Sequence, residues 1–260
     1  MTAEEILVAL AIKFKGNWED IYCATQNKEY DDLDNYLAEA ISNQYRYITI
    51  LSPEYPELLR KQYMPPFVLF YYGDISLLTN VAKNVAVVGS RECSDYGKEM
   101  TEKIVKEICH EYTIVSGMAI GIDTVAHHAA IEGGGKTIAI LGGGIDYIYP
   151  PSNRKLYQEL KKNHLIVSEY PGNTITQPDN FPRRNRIIAM ISRGTIVTEA
   201  YARSGTLTTV MFTLQCNRLL LCVPYLATSD SECNRLIANG AYLIQSGKEA
   251  ISILENDIHI

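Results

Sequence analysis

The densest group of side chains that could bind an anion lies in residues 181–193, where four arginines fall within eleven residues. The apolar spacing from Arg186 onward predicts a short helix, and Pro182 suits its first position or the turn before it. Backbone N–H groups at a helix start lack partners and favour an anion, and a guanidinium matches two phosphate oxygens. The segment therefore predicts a phosphate site, with a solvated arginine face as the alternative. The group consists of Phe181, Arg183, Arg184, Asn185, Arg186 and Arg193.

Glycine-bearing turns follow four of the predicted strands. The first reads Gly89-Ser90-Arg91, and the others lie in 116–123, 142–146 and 168–172. Glycine lets the backbone approach a phosphate and present N–H groups to it. One such turn is weak evidence, because any tight connection from strand to helix favours glycine, but four at one sheet edge indicate a phosphate-rich ligand. The candidates are Gly89, Ser90, Arg91, Ser116, Gly117, Gly121, Gly142 and Gly143.

A dinucleotide or nucleoside triphosphate cofactor is disfavoured by the same turns. The segment 89–94 lacks the G-x-G-x-x-G pattern, and the second strand ends in Ser116 rather than in an acid that would hold a ribose hydroxyl. Residues 133–137 resemble a Walker sequence only in composition, because they precede a strand instead of following one. We therefore expect no cofactor.

Side chains suited to catalysis or metal binding are few. Asp123 and His127 share a helix face but lack a third ligand, so we expect Asp123 to cap the helix and His127 to pack or hydrogen-bond locally. Glu199 ends a strand, and we expect it to pair with an arginine and hold the basic loop in place. The arginines considered are Arg184, Arg186 and Arg203. No catalysis and no bound metal are expected.

Aromatic side chains accompany the basic positions. A single nucleic-acid strand needs positive charge for its phosphates and flat rings for its bases. The chain contains 18 tyrosines, so the coincidence is only suggestive, and packing in the core is the alternative for each ring. The rings belong to Tyr147, Tyr149, Phe181 and Tyr201.

From residue 85 onward, apolar strands alternate with amphipathic helices. This alternation predicts an α/β fold with a mostly parallel sheet and helices on both faces, where ligands bind at the carboxyl ends of the strands. The predicted strands are 85–88, 113–116, 137–141, 165–168, 195–198, 219–223 and 241–244. The predicted helices are 95–110, 123–132, 153–162, 186–192, 207–216, 233–239 and 248–255.

The first 60 residues differ from the rest of the chain. Helical spacing recurs in 4–14 and 32–41, and this part carries eleven acidic and five basic residues. Prolines then punctuate a linker before a short strand at 67–73. We predict a small helical N-terminal module with its linker over residues 1–60, without an activity of its own, and the main domain over residues 61–260.

Charge and composition narrow the class of protein. The net charge of −6 argues against a general nucleic-acid binder, but residues 151–203 hold nine basic and four acidic residues, so this segment carries +5 and the remainder −11. A local basic surface on an acidic protein indicates a defined polyanion site. Six cysteines without metal-ligand spacing, an acidic N-terminus and no apolar run of membrane-spanning length predict a cytoplasmic protein without a membrane span.

Several motifs, taken together and in order, resemble those of the DNA-processing protein A (DprA/Smf) family. The resemblance covers about residues 45–250, and the joint occurrence of the motifs is highly specific. The matching stretches are 87–91, 116–123 with Ala126-His127, 141–150, 181–189 and 199–207, with the prolines of Tyr55-Pro56 and Pro65-Pro66 before them.

The resemblance implies an extended Rossmann-like domain that binds single-stranded DNA and forms homodimers, without catalysis. Members of the family protect incoming strands during natural transformation and help to load the RecA recombinase, so a RecA-type recombinase is an expected partner. Carried over to this chain, the phosphate contacts would be Arg91, Arg184, Asn185 and Arg186. The residues shaping the pocket would be Gly89, Ser90, Ser116, Gly117 and Gly121.

Three positions depart from the family pattern. Tyr225 and Glu232 stand where the family usually has glycine, and Pro151 follows the Tyr-Pro pair where a basic residue is frequent. Arg154 or Lys155 would have to serve in place of that basic residue. The sequence given also ends near Ile260, without the winged-helix module that some members carry. These departures concern the distal loop and the partner surface more than the DNA pocket.

The segment after Thr206 carries more apolar residues than one helix face needs, and two-fold dimers bury the same patch twice. We expect Val210, Leu214 and Leu236 in the core. Phe212, Ile237 and Leu243 fall where the resembling family has its dimer face, and we assign them to it.

Two other functions compete with DNA binding. One is a nucleotide-processing enzyme, such as a phosphoribohydrolase on a related fold, with Glu199 and an arginine as the catalytic pair. The other is a nucleotide-sensing module. Arginines spread over several strand ends favour a polymer with many phosphates.

Overall fold

A computed structural model describes residues 1–256 of the chain. Its strands are β1 (Arg46–Thr49), β2 (Val68–Gly73), β3 (Asn84–Gly89), β4 (Thr113–Ser116), β5 (Thr137–Leu141), β6 (Leu165–Ser168), β7 (Gly194–Glu199), β8 (Leu219–Cys222) and β9 (Tyr242–Leu243). Its α-helices are α1 (Ala3–Lys13), α2 (Trp18–Asn27), α3 (Leu33–Ser42), α4 (Glu57–Arg60), α5 (Ser76–Thr79), α6 (Asp95–Ile108), α7 (Ile122–Glu132), α8 (Arg154–Asn163), α9 (Asn180–Met190), α10 (Gly205–Gln215), α11 (Cys233–Ala238) and α12 (Gly247–Asn256).

The strands form a nine-stranded sheet in the order β1-β2-β6-β5-β4-β3-β7-β8-β9. Strands β3 to β9 are parallel, which confirms the predicted α/β class, whereas β2 runs antiparallel to β6 and to β1. The strand order reverses at β3, because β4, β5 and β6 extend to one side of it and β7, β8 and β9 to the other. In open parallel sheets, ligands bind at the carboxyl ends of the strands near such a reversal.

Alternate residues of β3 show why helices cover both faces of the sheet. Ala86 and Val88 pack in a cluster that includes residues of α9 and α10. Val85 and Val87 point to the opposite face and pack with residues of α6, α7 and α12. All four side chains are buried, as expected for a central strand covered on both sides.

The N-terminal helices pack on the β2, β5 and β6 end of the sheet, together with α8. Helices α1 and α3 are close to the predicted ones, and a capping box between Thr2 and Glu5 starts α1. Helix α2 is not among the predicted helices, because only Ile21 and Ala24 of its residues are buried and its apolar pattern is weak. The division of the chain after residue 60 stays a prediction, and the last residues of the proposed main domain, 257–260, lie outside the described residues.

Helix α9 begins at Asn180 rather than at the predicted Arg186, so its arginines lie within the helix rather than before it. Strand β1 was not predicted either; it pairs with β2 at the edge of the sheet. Within residues 1–256, no helix is both long enough and apolar enough to cross a membrane.

Candidate functional site

Two adjoining cavities lie at the carboxyl edge of the parallel strands. The smaller, of about 60 Å³, is bounded by the turns after β4 and β5. The larger, of about 930 Å³, lies between the turn after β3 and the start of α10. Arg91, Ala119 and Phe181 line both cavities, which therefore form one continuous site, called the crevice below. The sequence candidates that line it are Gly89, Ser90, Arg91, Gly117, Gly142, Gly143, Phe181, Arg184 and Asn185.

The rim of the crevice consists of one guanidinium group and three rings. The guanidinium carbon of Arg91 lies 4.9 Å from the centre of the Phe181 ring, within the range of a cation–π contact. Tyr149 continues the row, with its ring centre 6.1 Å from that of Phe181 and 6.4 Å from that of Tyr147, on which it stacks. Arg91 is exposed and Tyr149 is 46% exposed. Charge and flat rings are thus open to a ligand from solvent.

The turn after β3 is fixed by backbone contacts that leave the Arg91 side chain free to face solvent. The Ser90 N–H donates to the Glu199 carbonyl at 2.9 Å, and the Ser90 hydroxyl donates to the Glu92 carbonyl at 3.0 Å. Gly121 has a φ of +81°, and a Cβ atom there would collide with the carbonyl oxygens of Ser90 and Arg91. Glycine at position 121, in the turn after β4, therefore lets that turn pack against the turn after β3 without strain.

Arg184 forms the floor of the crevice and does not extend out of it. The residue is 4% exposed; its Nη1 donates to the carbonyls of Gly117 and Ile140, and its Nε donates to Asn185 Oδ1 at 2.9 Å. A Cβ atom on Gly117 would collide with this guanidinium, so glycine permits the close approach. Burial lowers the pKa of Arg184 to about 10, and Asp123 acts in the opposite direction. The floor therefore still carries a positive charge at neutral pH.

Asp123 lies in the first turn of α7 but is not its N-cap, which corrects the sequence prediction. Gly121 occupies the cap position, and the Asp123 carboxylate instead accepts the N–H groups of Gly117 at 3.1 Å and Ala119 at 3.4 Å. Burial raises the pKa of Asp123, while the charge of Arg184 opposes this effect. Asp123 thus holds the turn after β4 in shape.

His127 and Ser116 lie beneath the crevice. The ring nitrogen Nδ1 of His127 lies 2.7 Å from Thr137 Oγ1, which confirms the predicted local hydrogen bond, and burial lowers the pKa of His127 to about 3. Ser116 is fully buried, and its hydroxyl donates to the Val87 carbonyl at 2.7 Å. Ser116 thus fixes the end of β4 against β3, whereas His127 connects α7 to the start of β5. Within residues 1–256, no group of three or more His, Cys, Asp or Glu side chains could hold a metal ion.

The start of α9 does not offer free N–H groups, which corrects the argument for an anion site made from the sequence. The N–H groups of its first turn donate to the carbonyl oxygens of residues 177–179, and Pro182 has no N–H. A turn before the helix therefore occupies these donors. Positive charge at this place comes from arginine side chains alone.

The other two arginines of the α9 motif are paired with carboxylates. Arg186 is buried, and its Nη2 lies 2.7 and 3.0 Å from the two carboxylate oxygens of Glu169. Arg183 is half-buried and makes a two-point ion pair with Glu19 of α2, with N–O distances of 2.8 and 2.7 Å. The sequence does not mark Glu19 as a partner, because 164 residues separate the two positions.

Glu199 does not pair with an arginine, contrary to prediction. The side chain is fully buried at the end of β7 and accepts the N–H of Ser94 at 2.9 Å, the hydroxyl of Ser94 at 3.1 Å and the hydroxyl of Tyr201. The arginines of α9 have nearer partners, and Arg203 is exposed. Glu199 therefore ties β7 to the start of α6.

Arg154 and Lys155 open α8 and are exposed, away from the residues that line the crevice. The fourth glycine-bearing turn also lies apart from it. Tyr170 and Gly172 line a separate groove, together with residues of α1 and α3. Three of the four predicted turns therefore meet at the crevice.

Three uncharged loop residues line the crevice and are absent from the sequence candidates. Ile120 and Thr176 line the smaller cavity, and Pro178 lines the larger. None carries a charge, although Ile120 lies within the glycine-bearing turn at 116–123. Their place in the loops after predicted strands is the only signal that could have identified them.

The residues assigned to a dimer face are accessible to different degrees. Leu243, on the edge strand β9, is 48% exposed, whereas Phe212 and Ile237 are half-buried. Nearby, the hydroxyl of Tyr225 donates to the Thr198 carbonyl at 3.0 Å. The tyrosine that replaces the family's usual glycine therefore makes a hydrogen bond to β7.

The prediction that three apolar residues lie in the core is only partly confirmed. Val210 is buried and Leu236 is half-buried against the core, but Leu214 is 55% exposed. Leu214 follows Met211 by three positions on α10, and Met211 is exposed too. The outer side of this helix is therefore apolar.

Comparison with known proteins identifies relatives of the whole sheet. The family model described as DNA recombination-mediator protein A matches residues 46–255. The DNA processing protein DprA of Streptococcus pneumoniae is 41% identical over 197 residues, which are 76% of this chain and 69% of that protein. The Bacillus subtilis DprA is 39% identical over 196 residues, 75% of this chain and 66% of that protein.

Solved structures give the same relationship. The X-ray structure of DNA processing protein A from Streptococcus pneumoniae superimposes with a TM-score of 0.82 at 36% identity, covering 96% of this chain and 93% of that one. DNA processing protein A from Helicobacter pylori, described for its single-stranded DNA binding mode, superimposes with a TM-score of 0.74 at 29% identity. That match covers 83% of this chain and 98% of the other.

Proposed function

This chain belongs to the DNA recombination-mediator protein A family, and on that premise we propose that it binds single-stranded DNA in the crevice as a recombination mediator. The observation that carries the proposal is the rim, where the exposed guanidinium of Arg91 continues into the rings of Phe181, Tyr149 and Tyr147. Aromatic faces stack on bases of any sequence, and a guanidinium pairs with phosphate. The single-stranded DNA binding described for the Helicobacter pylori relative supports the same ligand.

In this proposal the floor contributes electrostatic attraction from a buried charge, and the walls contribute space for a strand to approach closely. The buried charge of Arg184 attracts phosphates without leaving its carbonyl partners. The residues that allow the strand to approach are Gly89, Ser90, Gly117, Gly121, Gly142 and Gly143. Ser116, Asn185 and Arg186 hold the floor in place, and Arg183, Arg154 and Lys155 extend the basic path beyond the crevice.

We propose no enzymatic activity. A phosphoribohydrolase-like reaction would need Glu199 at an open site, whereas this carboxylate is fully buried and hydrogen-bonded to Ser94 and Tyr201. The open shape of the larger cavity also suits a continuous strand better than a small nucleotide that must be enclosed.

Family membership supports three finer proposals about the cellular role. The protein protects incoming strands during natural transformation, loads a RecA-type recombinase onto them, and works in the cytoplasm. A strand held by its bases at the rim keeps part of its backbone accessible, which is the arrangement that a recombinase loading onto the same strand needs.

We propose that the protein forms a homodimer through Phe212, Ile237 and Leu243. The exposed Met211 and Leu214 of α10 support this face, because exposed apolar patches of this kind mark association surfaces. Two crevices on one particle would let a long strand bind both and gain avidity. Replacing Ile237 and Leu243 together by Glu should give a folded monomer in sedimentation, with weaker binding of long strands only.

The decisive test is binding of a labelled oligonucleotide, single-stranded against duplex, at about 50 and about 200 mM salt. Single strands should bind more tightly, and Arg91→Ala should weaken binding and lower the log–log salt slope by about 0.7, the share of one phosphate. Arg46→Ala, on the edge strand β1 far from the crevice, is the matched control and should change neither value. Equal affinity for duplex, or an unchanged slope in Arg91→Ala, would reject the crevice as the DNA site.

A further inference from the structure

The ion pair between Arg183 and Glu19 connects the N-terminal helices to the helix that carries the DNA motif. Both guanidinium Nη atoms face one carboxylate oxygen each, at 2.8 and 2.7 Å. The hydrogen bond lowers the pKa of Glu19 and raises the pKa of Arg183. A carboxylate that meets a guanidinium at two points has the geometry of a phosphate bound by arginine.

Arg183 stands at the border between the crevice and the separate groove that Tyr170 and Gly172 line. Phe181 and Pro182 line the crevice, whereas Arg183 lines a polar groove of about 1040 Å³ between α1, α3 and the loop that leads into α9. A strand that leaves the crevice past Phe181 would reach Arg183 next. The guanidinium is already occupied there by the protein's own carboxylate.

Glu19 is held at this place by its neighbours on α2. The indole N–H of Trp18 donates to the Pro65 carbonyl at 2.8 Å, and the Trp18 ring stacks on Phe67 at a centroid distance of 5.3 Å. The Asn17 side chain caps the helix by accepting the Glu19 N–H. The pair itself remains accessible, with side-chain exposures of 37% for Arg183 and 51% for Glu19. Exposed pairs are weak, so a phosphate can replace the carboxylate.

We infer that Glu19 is a positioning residue of the DNA site. Its carboxylate binds the Arg183 guanidinium in the place that a phosphate would take, and it thereby limits how far a bound strand extends beyond the crevice. The inference rests on the proposed DNA-binding function and adds a role for the N-terminal helices. A long strand gains one phosphate contact only by displacing Glu19.

The test compares Glu19→Gln with Asp20→Asn in binding a single strand of about 20 nucleotides, longer than one binding site. Asp20 is exposed in the same first turn of α2 and belongs to none of the ion pairs found in the described residues, so it controls for the loss of one negative charge. Glu19→Gln should tighten binding roughly two- to five-fold and steepen the salt slope by about 0.7. Asp20→Asn should leave the salt slope unchanged.

Arg183→Ala provides the second half of the cycle. Because Arg183 is occupied in the unmodified protein, Arg183→Ala alone should weaken binding only slightly, and Glu19→Gln should give no gain in its presence. The role of Glu19 would be refuted if Glu19→Gln and Asp20→Asn had equal salt slopes. It would also be refuted if Glu19→Gln still tightened binding in the presence of Arg183→Ala. If the unmodified protein did not bind single-stranded DNA at all, the proposed function itself would be wrong.

Discussion

The rim and the floor of the crevice both contain arginine, but their guanidinium groups are in opposite environments. Arg91 on the rim is exposed and lies over an aromatic ring. Arg184 on the floor is buried and donates to backbone carbonyls, and Arg186, which follows it on α9 and lines neither cavity, is buried and donates to Glu169. Arginines that the sequence assigned to one binding site therefore have different roles. The rim can exchange its partners for a ligand, whereas the floor cannot do so without loss of stability.

Because of this difference, substitutions on the floor and on the rim should have different effects. Removing a floor side chain leaves buried polar or charged partners unpaired, which costs free energy of unfolding. Removing a rim side chain leaves the fold intact and changes only the free energy of DNA binding. Stability and DNA affinity should therefore respond separately to substitutions on the floor and on the rim.

Arg186→Ala should have the largest effect on stability. It leaves the buried carboxylate of Glu169 without its partner, and breaking a buried pair in this way costs about 3–5 kcal/mol. The free energy of unfolding from urea denaturation measures the loss. Arg183→Ala on the same helix is the control, since its half-exposed pair should contribute no more than about 1 kcal/mol. Similar losses in both variants would contradict the division between the buried and the exposed arginine of α9.

The second prediction concerns pH and the buried histidine of α7. The pKa of His127 falls to about 3 in the folded protein because of burial, from an ordinary value of 6.5. Between pH 6.5 and 3 the unfolded chain therefore binds a proton that the folded protein does not. Stability should be fully present above pH 6.5 and should fall by about 1.4 kcal/mol per pH unit below it, or about 2 kcal/mol at pH 5.

Denaturation of His127→Gln across the same pH range tests the assignment. The dependence on pH should become shallower, and the remainder comes in part from His164, whose pKa burial also lowers. His110→Gln, at an exposed position after α6, should keep the dependence of the unmodified protein. If the dependence on pH disappeared in His110→Gln instead, its assignment to His127 would be wrong.

These contrasts also show what the sequence could predict. Apolar runs such as 85–88 identify a central strand, because burial on both faces requires continuous apolar residues. The sequence also located Arg91, Phe181 and the glycine turns that meet at the crevice. It could not tell that Arg184 would point inward, because its side-chain direction depends on the carbonyls of Gly117 and Ile140, which are distant in sequence. The same holds for the contact of Glu199 with Ser94, the N-cap of α6, which is distant in sequence.

The third prediction concerns the rings of the rim. Phe181→Ala removes the ring that lies between Arg91 and Tyr149, and loss of one stacking ring weakens single-strand binding by about 1–3 kcal/mol. The salt slope should stay unchanged, because no charge is lost. Phe181→Tyr keeps the aromatic face and should retain most of the affinity. A lower slope in Phe181→Ala would mean that the ring acts only by placing Arg91.

The smallest effect should come from Arg91→Lys, which separates the charge of the rim from its shape. Lysine retains the positive charge, so the salt slope should match that of the unmodified protein. It lacks the planar group that lies over Phe181 and pairs with two phosphate oxygens at once. We expect affinity to fall by about 0.5–1 kcal/mol, the contribution of an exposed cation–π contact. Oligonucleotide titrations at several salt concentrations measure both quantities. If Arg91→Lys lost affinity and slope together, as Arg91→Ala should, then the guanidinium would bind its phosphate through geometry that lysine cannot supply, and the stacked arrangement on Phe181 would be the part of the rim that positions it.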